Sequence, residues 1–140
     1  MGLALHPSVR FVAFFIMASF TKEKRRIIYD KYKGRCAYCG VGMLISEMHI
    51  DHIKPRKRHI TSHQDPQYSS KGSNNISNLM PSCGSCNSSK STWSINEWRD
   101  RIADKTRILR DTSAPYRMAI RYGLVSENDI DVVFYFEYNV

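Results

Sequence analysis

Four cysteines in two close pairs, Cys36-x-x-Cys39 and Cys83-x-x-Cys86, carry the most specific chemistry in this chain. Four sulfurs presented from two tight turns suit tetrahedral zinc. A disulfide framework is the weaker reading, because neither close pair makes a good structural bridge within itself. Four thiolates leave no coordination position open, so the zinc would be structural and would imply a reducing compartment. Closing the long stretch between the pairs with a metal adds folding free energy directly. Between and beside the pairs stand Asp51-His52, Asn78-Leu79 and Asn87. Imidazole titrates unperturbed near neutrality, which suits a general base, while carboxylate and amide oxygens are hard ligands that suit Mg²⁺ or Mn²⁺. Taken singly, each has a plainer reading: Asp51-His52 as surface polarity, Asn78 as a turn or cap residue, Asn87 as a polar residue after a knuckle. Their joint arrangement around two zinc knuckles favours the chemical one. The rival from another class is a non-catalytic zinc module that binds nucleic acid or bridges proteins.

Arg35-Cys36-Ala37-Tyr38-Cys39-Gly40, then Asp51-His52, Asn78 and Cys83-x-x-Cys86-Asn87-x-x-Lys90, follow one another over about residues 25–91. In this order they resemble the HNH endonuclease family. The resemblance implies an α+β chain with a ββα-metal core, a hairpin and a helix gripping one catalytic ion above the zinc site. It further implies that Asp51 ligates the ion, that His52 is the general base and that Asn78 orients His52. Asn87 stands at the family's final histidine position and would be the second protein ligand. Two protein ligands leave the other octahedral positions of Mg²⁺ or Mn²⁺ to waters and phosphate. The implied reaction is hydrolysis of DNA phosphodiester bonds, by nicking or double-strand cutting, with 5′-phosphate and 3′-hydroxyl products. Double-stranded DNA is the expected partner ahead of RNA or branched DNA, and a bacterial or phage-infected cytoplasm the expected setting. One geometric problem stands out: strict strand alternation puts Asp51 and His52 on opposite faces unless the strand twists, bulges or ends there.

Charge agrees with a polyanionic partner. Lysine and arginine number 21 against 13 acidic residues, for a formal charge of +8 and a pI near 9.5. The run Lys54-Pro55-Arg56-Lys57-Arg58-His59 adjoins Asp51-His52, so Lys54, Arg56, Lys57 and Arg58 are expected to bind backbone phosphate, salt-sensitively and without regard to sequence. A nuclear-import signal or a solvated loop is the alternative. His49, on the strand face of Asp51, and Lys90, on the helix after the second knuckle, are further phosphate contacts, or else solvated polar groups. Nothing in the spacing of His59 and His63 demands a metal role.

The elements that must hold these residues read as follows. Residues 1–20 form an N-terminal extension, 21–93 the nuclease-like domain, and 94–140 a helical and strand extension packed on it. The apolar run Phe11–Phe20 falls far short of the ~20 residues that span a bilayer, so no membrane association is expected. A start at Met17 would omit residues 1–16, and an intact mass from the natural host that includes them would overturn that expectation. Thr21 caps a helix over Lys22–Lys33 with Ile27, Ile28 and Tyr32 on its apolar face, ended by Gly34. Met43–Lys54 reads as strand, Pro55–Asn75 as a long polar loop, and the second knuckle runs into a short helix towards Ser91. Ser94-Ile95-Asn96-Glu97 is a capping box opening a helix to about Arg110, with Trp98, Ile102, Ile108 and Leu109 as its buried stripe. The need for that apolar face makes Trp93 and Trp98 core residues rather than base-stacking groups. Ala114–Tyr122 is a last helix closed by Gly123, and Asp131–Tyr138 a terminal strand.

Overall fold

The computed structural model describes residues 20–56 and 72–138; the run before Phe20 and Lys57, Arg58, His59 and His63 lie outside the described residues. Helix α1, Lys22–Lys31, is capped by the Thr21 hydroxyl, which accepts from the Lys24 amide, and it buries Ile28 and, just past its end, Tyr32. Ile27 is instead 46% exposed. The helix stops short of Lys33 because Lys33 and Gly34 both adopt positive φ, 53° and 74°. A side chain at Gly34 would fall 2.7 Å from the Tyr29 hydroxyl, which donates to the Met43 carbonyl at 2.8 Å, so glycine alone fits this turn.

Strands β1, His49–His52, and β2, Leu79–Ser82, pair antiparallel with His49 opposite Ser82 and His52 opposite Leu79. The strand expected from Met43 is therefore four residues long. Its first half is drawn off into a turn: Glu47 accepts from the Leu44 amide, and the Arg25 guanidinium takes the carbonyls of Ile45 and Met48 at 3.1 and 2.7 Å. One face of the hairpin meets α1 through Leu79, with Ile28, Met48 and half-buried Ile50. The other face, through Met80, joins a core of Tyr32, Cys36, Ala37, Tyr38, Ile95, Trp98 and Phe134.

Helix α2, Gly84–Lys90, follows β2 directly, and α3, Ile95–Ala103, starts at the capping box, where Ser94 and Glu97 bond reciprocally. The single helix expected to about Arg110 bends at Asp104, whose ψ of −9° opens the turn and whose carboxylate takes the Arg107 guanidinium at 3.0 Å. Beyond the bend α4, Lys105–Thr112, leaves the core, so Ile108 and Leu109 stay 43% and 42% exposed instead of extending the stripe of Ile95 and Trp98. Helix α5, Ala114–Arg121, is capped by Ser113 and followed by Gly123 at φ 70°.

The terminal segment is not a strand. It runs extended to Phe134, which stacks on Trp98 with ring centroids 4.9 Å apart, and then forms one helical turn, α6, Tyr135–Tyr138. Glu137 accepts from the Phe134 amide and is gripped by Arg99, which closes that turn. Its amides at Tyr135 and Phe136 donate, each at 2.8 Å, to the carbonyls of Tyr38 and Ala37 in the first cysteine knuckle. No helix among the described residues is long and apolar enough to cross a membrane.

Candidate active site

The two knuckles converge. In the first, the Cys36 amide donates to Val41 and the Gly40 amide to Cys36, both at 2.9 Å, and Gly40 takes φ 76°. In the second, Cys83 caps α2, its sulfur accepting from the Cys86 amide. All four sulfurs lie within 4.8 Å of one another, and those of Cys39 and Cys83 are 3.9 Å apart, so all four cysteines are free thiols. A tetrahedral ion with thiolates at ~2.3 Å spaces its sulfurs about 3.8 Å apart, so the cluster fits a four-coordinate metal. Hydrogen bonding from Cys86 lowers the Cys36 thiol to about 4, and the same contact raises Cys86. Burial raises Cys39 as well. Four sulfurs this close cannot all ionise without a cation to offset their mutual repulsion.

Above the cluster, Asp51 is 7% exposed and Lys90 fully buried. The Lys90 ammonium meets Asp51 Oδ2 at 2.9 Å and donates to the His52 carbonyl at 2.8 Å, which ties α2 to β1. The Tyr38 hydroxyl donates to the same Oδ2. Burial, reinforced by the Asp51 charge, holds the Tyr38 phenol well above its ordinary value, so it stays a donor. Lys90 is thus inside the protein: the phosphate contact expected of it is not one this buried side chain is placed to make, because its charge is spent on Asp51. Removing either partner of such a pair leaves an uncompensated buried charge.

His52 lies on the other face, as alternation requires. Strand β1 ends at His52 without a bulge, so Asp51 points towards α2 and the knuckle while the His52 ring sits 6.2 Å from Phe20, just ahead of α1. Its Nε2 is 2.8 Å from Asn74 Oδ1. An amide oxygen only accepts, so Nε2 is the donor in this contact.

Among the described residues, Asn78 forms its side-chain hydrogen bonds with the backbone and none with that ring. Its side chain accepts from the Lys54 amide at 2.8 Å and donates to the carbonyls of Lys54 and Ser73 at 3.1 and 2.9 Å, and its carbonyl accepts from the Ile53 amide. It pins the chain directly after His52, and any effect on His52 passes through the backbone. The loop base closes at Gly72, whose amide donates to Pro55, and where an added Cβ would lie 1.7 Å from the Lys54 carbonyl oxygen.

Asn87 is half-buried on α2, one turn before Lys90 and hence near the face that meets β1. His49 is exposed on the strand face of Asp51, its Nε2 3.6 Å from where a Cβ on Gly84 would lie. Arg56 is exposed and Lys54 half-buried at the loop base. The sequence reading missed Asn74, Tyr38 and Gly72. The spacing of Asn74 from His52 carries no local signal, because the loop between them decides the contact. Tyr38 was visible only as a filler between zinc ligands.

This arrangement coincides with a family match. Residues 36–92 match the HNH endonuclease model and include all four cysteines, Asp51, His52, Asn78, Asn87 and Lys90. Residues 36–92 are thus similar to an HNH endonuclease domain. The chain is 36% identical over 80 residues to the "SPbeta prophage-derived putative HNH endonuclease YoqL" of Bacillus subtilis (strain 168), a match covering 49% of this chain. The chain spans only 28% of that relative's length. Among solved structures, the Type II-C Cas9 enzyme of Actinomyces naeslundii is similar over 60% of this chain and 9% of its own, at 23% identity and a TM-score of 0.45.

Proposed function

We propose that the chain is a metal-dependent endonuclease that hydrolyses DNA phosphodiester bonds, with His52 as general base. The observation that carries this reading is the His52 ring, fixed by Asn74 through Nε2, one residue beyond the buried carboxylate of Asp51. An imidazole that donates through Nε2 offers Nδ1 to take a proton from water. Asn78 holds the next residues of the chain, which keeps the ring at the strand end. Asp51 and Asn87 supply a carboxylate and an amide oxygen for Mg²⁺ or Mn²⁺, and the four cysteines hold structural zinc. When bound, the hard cation would offset charge on the scissile phosphate and on the leaving oxygen. Because the charges of Asp51 and Lys90 cancel, the ion binds weakly until a phosphate adds negative charge. Lys54, Arg56, Lys57, Arg58 and His49 would contact the backbone phosphates. The prophage origin of the relative favours a phage-related bacterial setting.

Supercoiled-plasmid cleavage by zinc-loaded protein with Mg²⁺, Mn²⁺ or EDTA tests the reading, beside His52→Ala. Metal-dependent cutting lost in the variant supports it. If wild type and variant both shift DNA on a gel without cutting, the chain is a binding module; competition with RNA and branched DNA ranks the substrates.

A further inference from the structure

We infer that Tyr38, inside the first cysteine knuckle, is a positioning residue for Asp51 and couples the structural metal and the C-terminal segment to the catalytic site. The inference rests on Asp51 being a ligand of the catalytic ion. Tyr38 is 2% exposed, and its hydroxyl donates to Asp51 Oδ2, the oxygen that also receives Lys90. Two donors on one oxygen fix the carboxylate plane, and among the described residues no donor is given to Oδ1, the oxygen then offered to a cation. Hydrogen bonds of this kind, from a residue behind a metal ligand, set the ligand's orientation and basicity.

The tyrosine is itself held by four sets of contacts. Cys36 and Cys39 flank it and clamp its backbone to the sulfur cluster. The neighbouring Ala37 amide donates to Pro81 of β2 at 2.8 Å. Its ring meets Trp98 and Phe134 edge-on with centroids 5.0 and 5.7 Å away, and Phe136 at 6.2 Å. Its carbonyl accepts from the Tyr135 amide. Two distant parts of the chain, α3 and the terminal turn α6, therefore aim one hydroxyl at Asp51. That gives Trp98, Phe134 and the terminal turn a task in the reaction: a packing error there is transmitted through a rigid ring to the carboxylate.

Tyr38→Phe removes the hydroxyl and keeps every ring contact. The test measures Mn²⁺ binding by electron paramagnetic resonance on zinc-loaded protein with a DNA duplex, in a His52→Ala background that leaves the DNA intact. Tyr38→Phe is expected to weaken Mn²⁺ binding by about 10–100-fold while zinc content stays at one per chain. With His52 present, kcat at a fixed Mn²⁺ concentration should fall while KM for DNA holds. Asp51→Asn is the control. If it weakens Mn²⁺ binding and Tyr38→Phe does not, Tyr38 only fills the core and the inference fails. If Asp51→Asn leaves Mn²⁺ binding intact, the ligand reading fails first and takes the inference with it. Should Tyr38→Phe lose zinc, 3-fluorotyrosine at position 38 replaces it, keeping ring and hydroxyl while changing donor strength. A shifted Mn²⁺ affinity then supports the inference, and an unchanged one overturns it.

Discussion

Lys90 and Asn74 hold Asp51 and His52 through contacts that no local spacing announces. Lys90 is a basic residue after a knuckle, which suggests solvent or phosphate, yet it is fully buried against Asp51. Lys90→Met would strand a buried carboxylate, at a cost of about 3–5 kcal/mol. Added Mn²⁺ should restore part of that loss in urea unfolding, because a cation can replace the missing ammonium; no Mn²⁺ effect would mean the ion does not reach Asp51. Asn74 fixes the His52 ring by accepting from Nε2. Asn74→Ala should therefore cut kcat about tenfold, a fraction of what a general base contributes, with KM for DNA unchanged. Asn78→Ala should act differently, loosening the loop base that its side chain ties to Lys54 and Ser73.

At the scale of elements, the hairpin, α2 and the first knuckle form one unit whose pieces were visible in advance only as fragments. Gly72 shows why. Nothing local marks it, but its Cα sits so close to the Lys54 carbonyl that any side chain must push the loop base apart. Gly72→Ala is expected to lower the melting temperature and to raise amide exchange at Ile53 and Lys54, while an unaffected exchange rate would show that the loop base relaxes freely. The terminal turn α6 depends on Arg99 in the same way. Its guanidinium holds the Glu137 carboxyl below the ordinary value of 4.5. A carboxyl depressed by folding stabilises the fold above that value and loses its contribution as pH falls through the lower, folded one. Near-UV circular dichroism of Trp98 and Phe134 should thus change below pH 4.5 in wild type. Glu137→Gln should show that altered packing already at neutral pH.

For the whole molecule, the proposed function makes the excess of basic residues a source of long-range attraction to DNA rather than of any one contact. Replacing Arg56 by Gln should weaken DNA binding evenly across sequences and reduce the salt-dependence slope by about one. A slope unchanged from wild type would take Arg56 away from the phosphates. Stripping the cysteine cluster with a strong chelator should unfold the knuckles and abolish Mn²⁺ binding together, since Tyr38 belongs to both.

The sequence by itself determined what depends on short spacings. Two C-x-x-C pairs, the capping box at Ser94–Glu97 and the Thr21 cap each act within a few residues, so the cysteine cluster's components and both helix starts can be read directly. Alternation, likewise local, correctly set Asp51 and His52 on opposite faces. Only the tertiary structure decided the length of β1, because Arg25 and Glu47 capture the backbone groups a longer strand would need. It also turned an aromatic, β-branched tail into a helical turn, since Arg99 and the knuckle carbonyls offered its polar groups better partners than a third strand. And it chose Asn74, Tyr38 and Lys90 as the supports of the site, through contacts that cross 13 to 39 positions of chain, where side-chain direction and burial outweigh any local pattern.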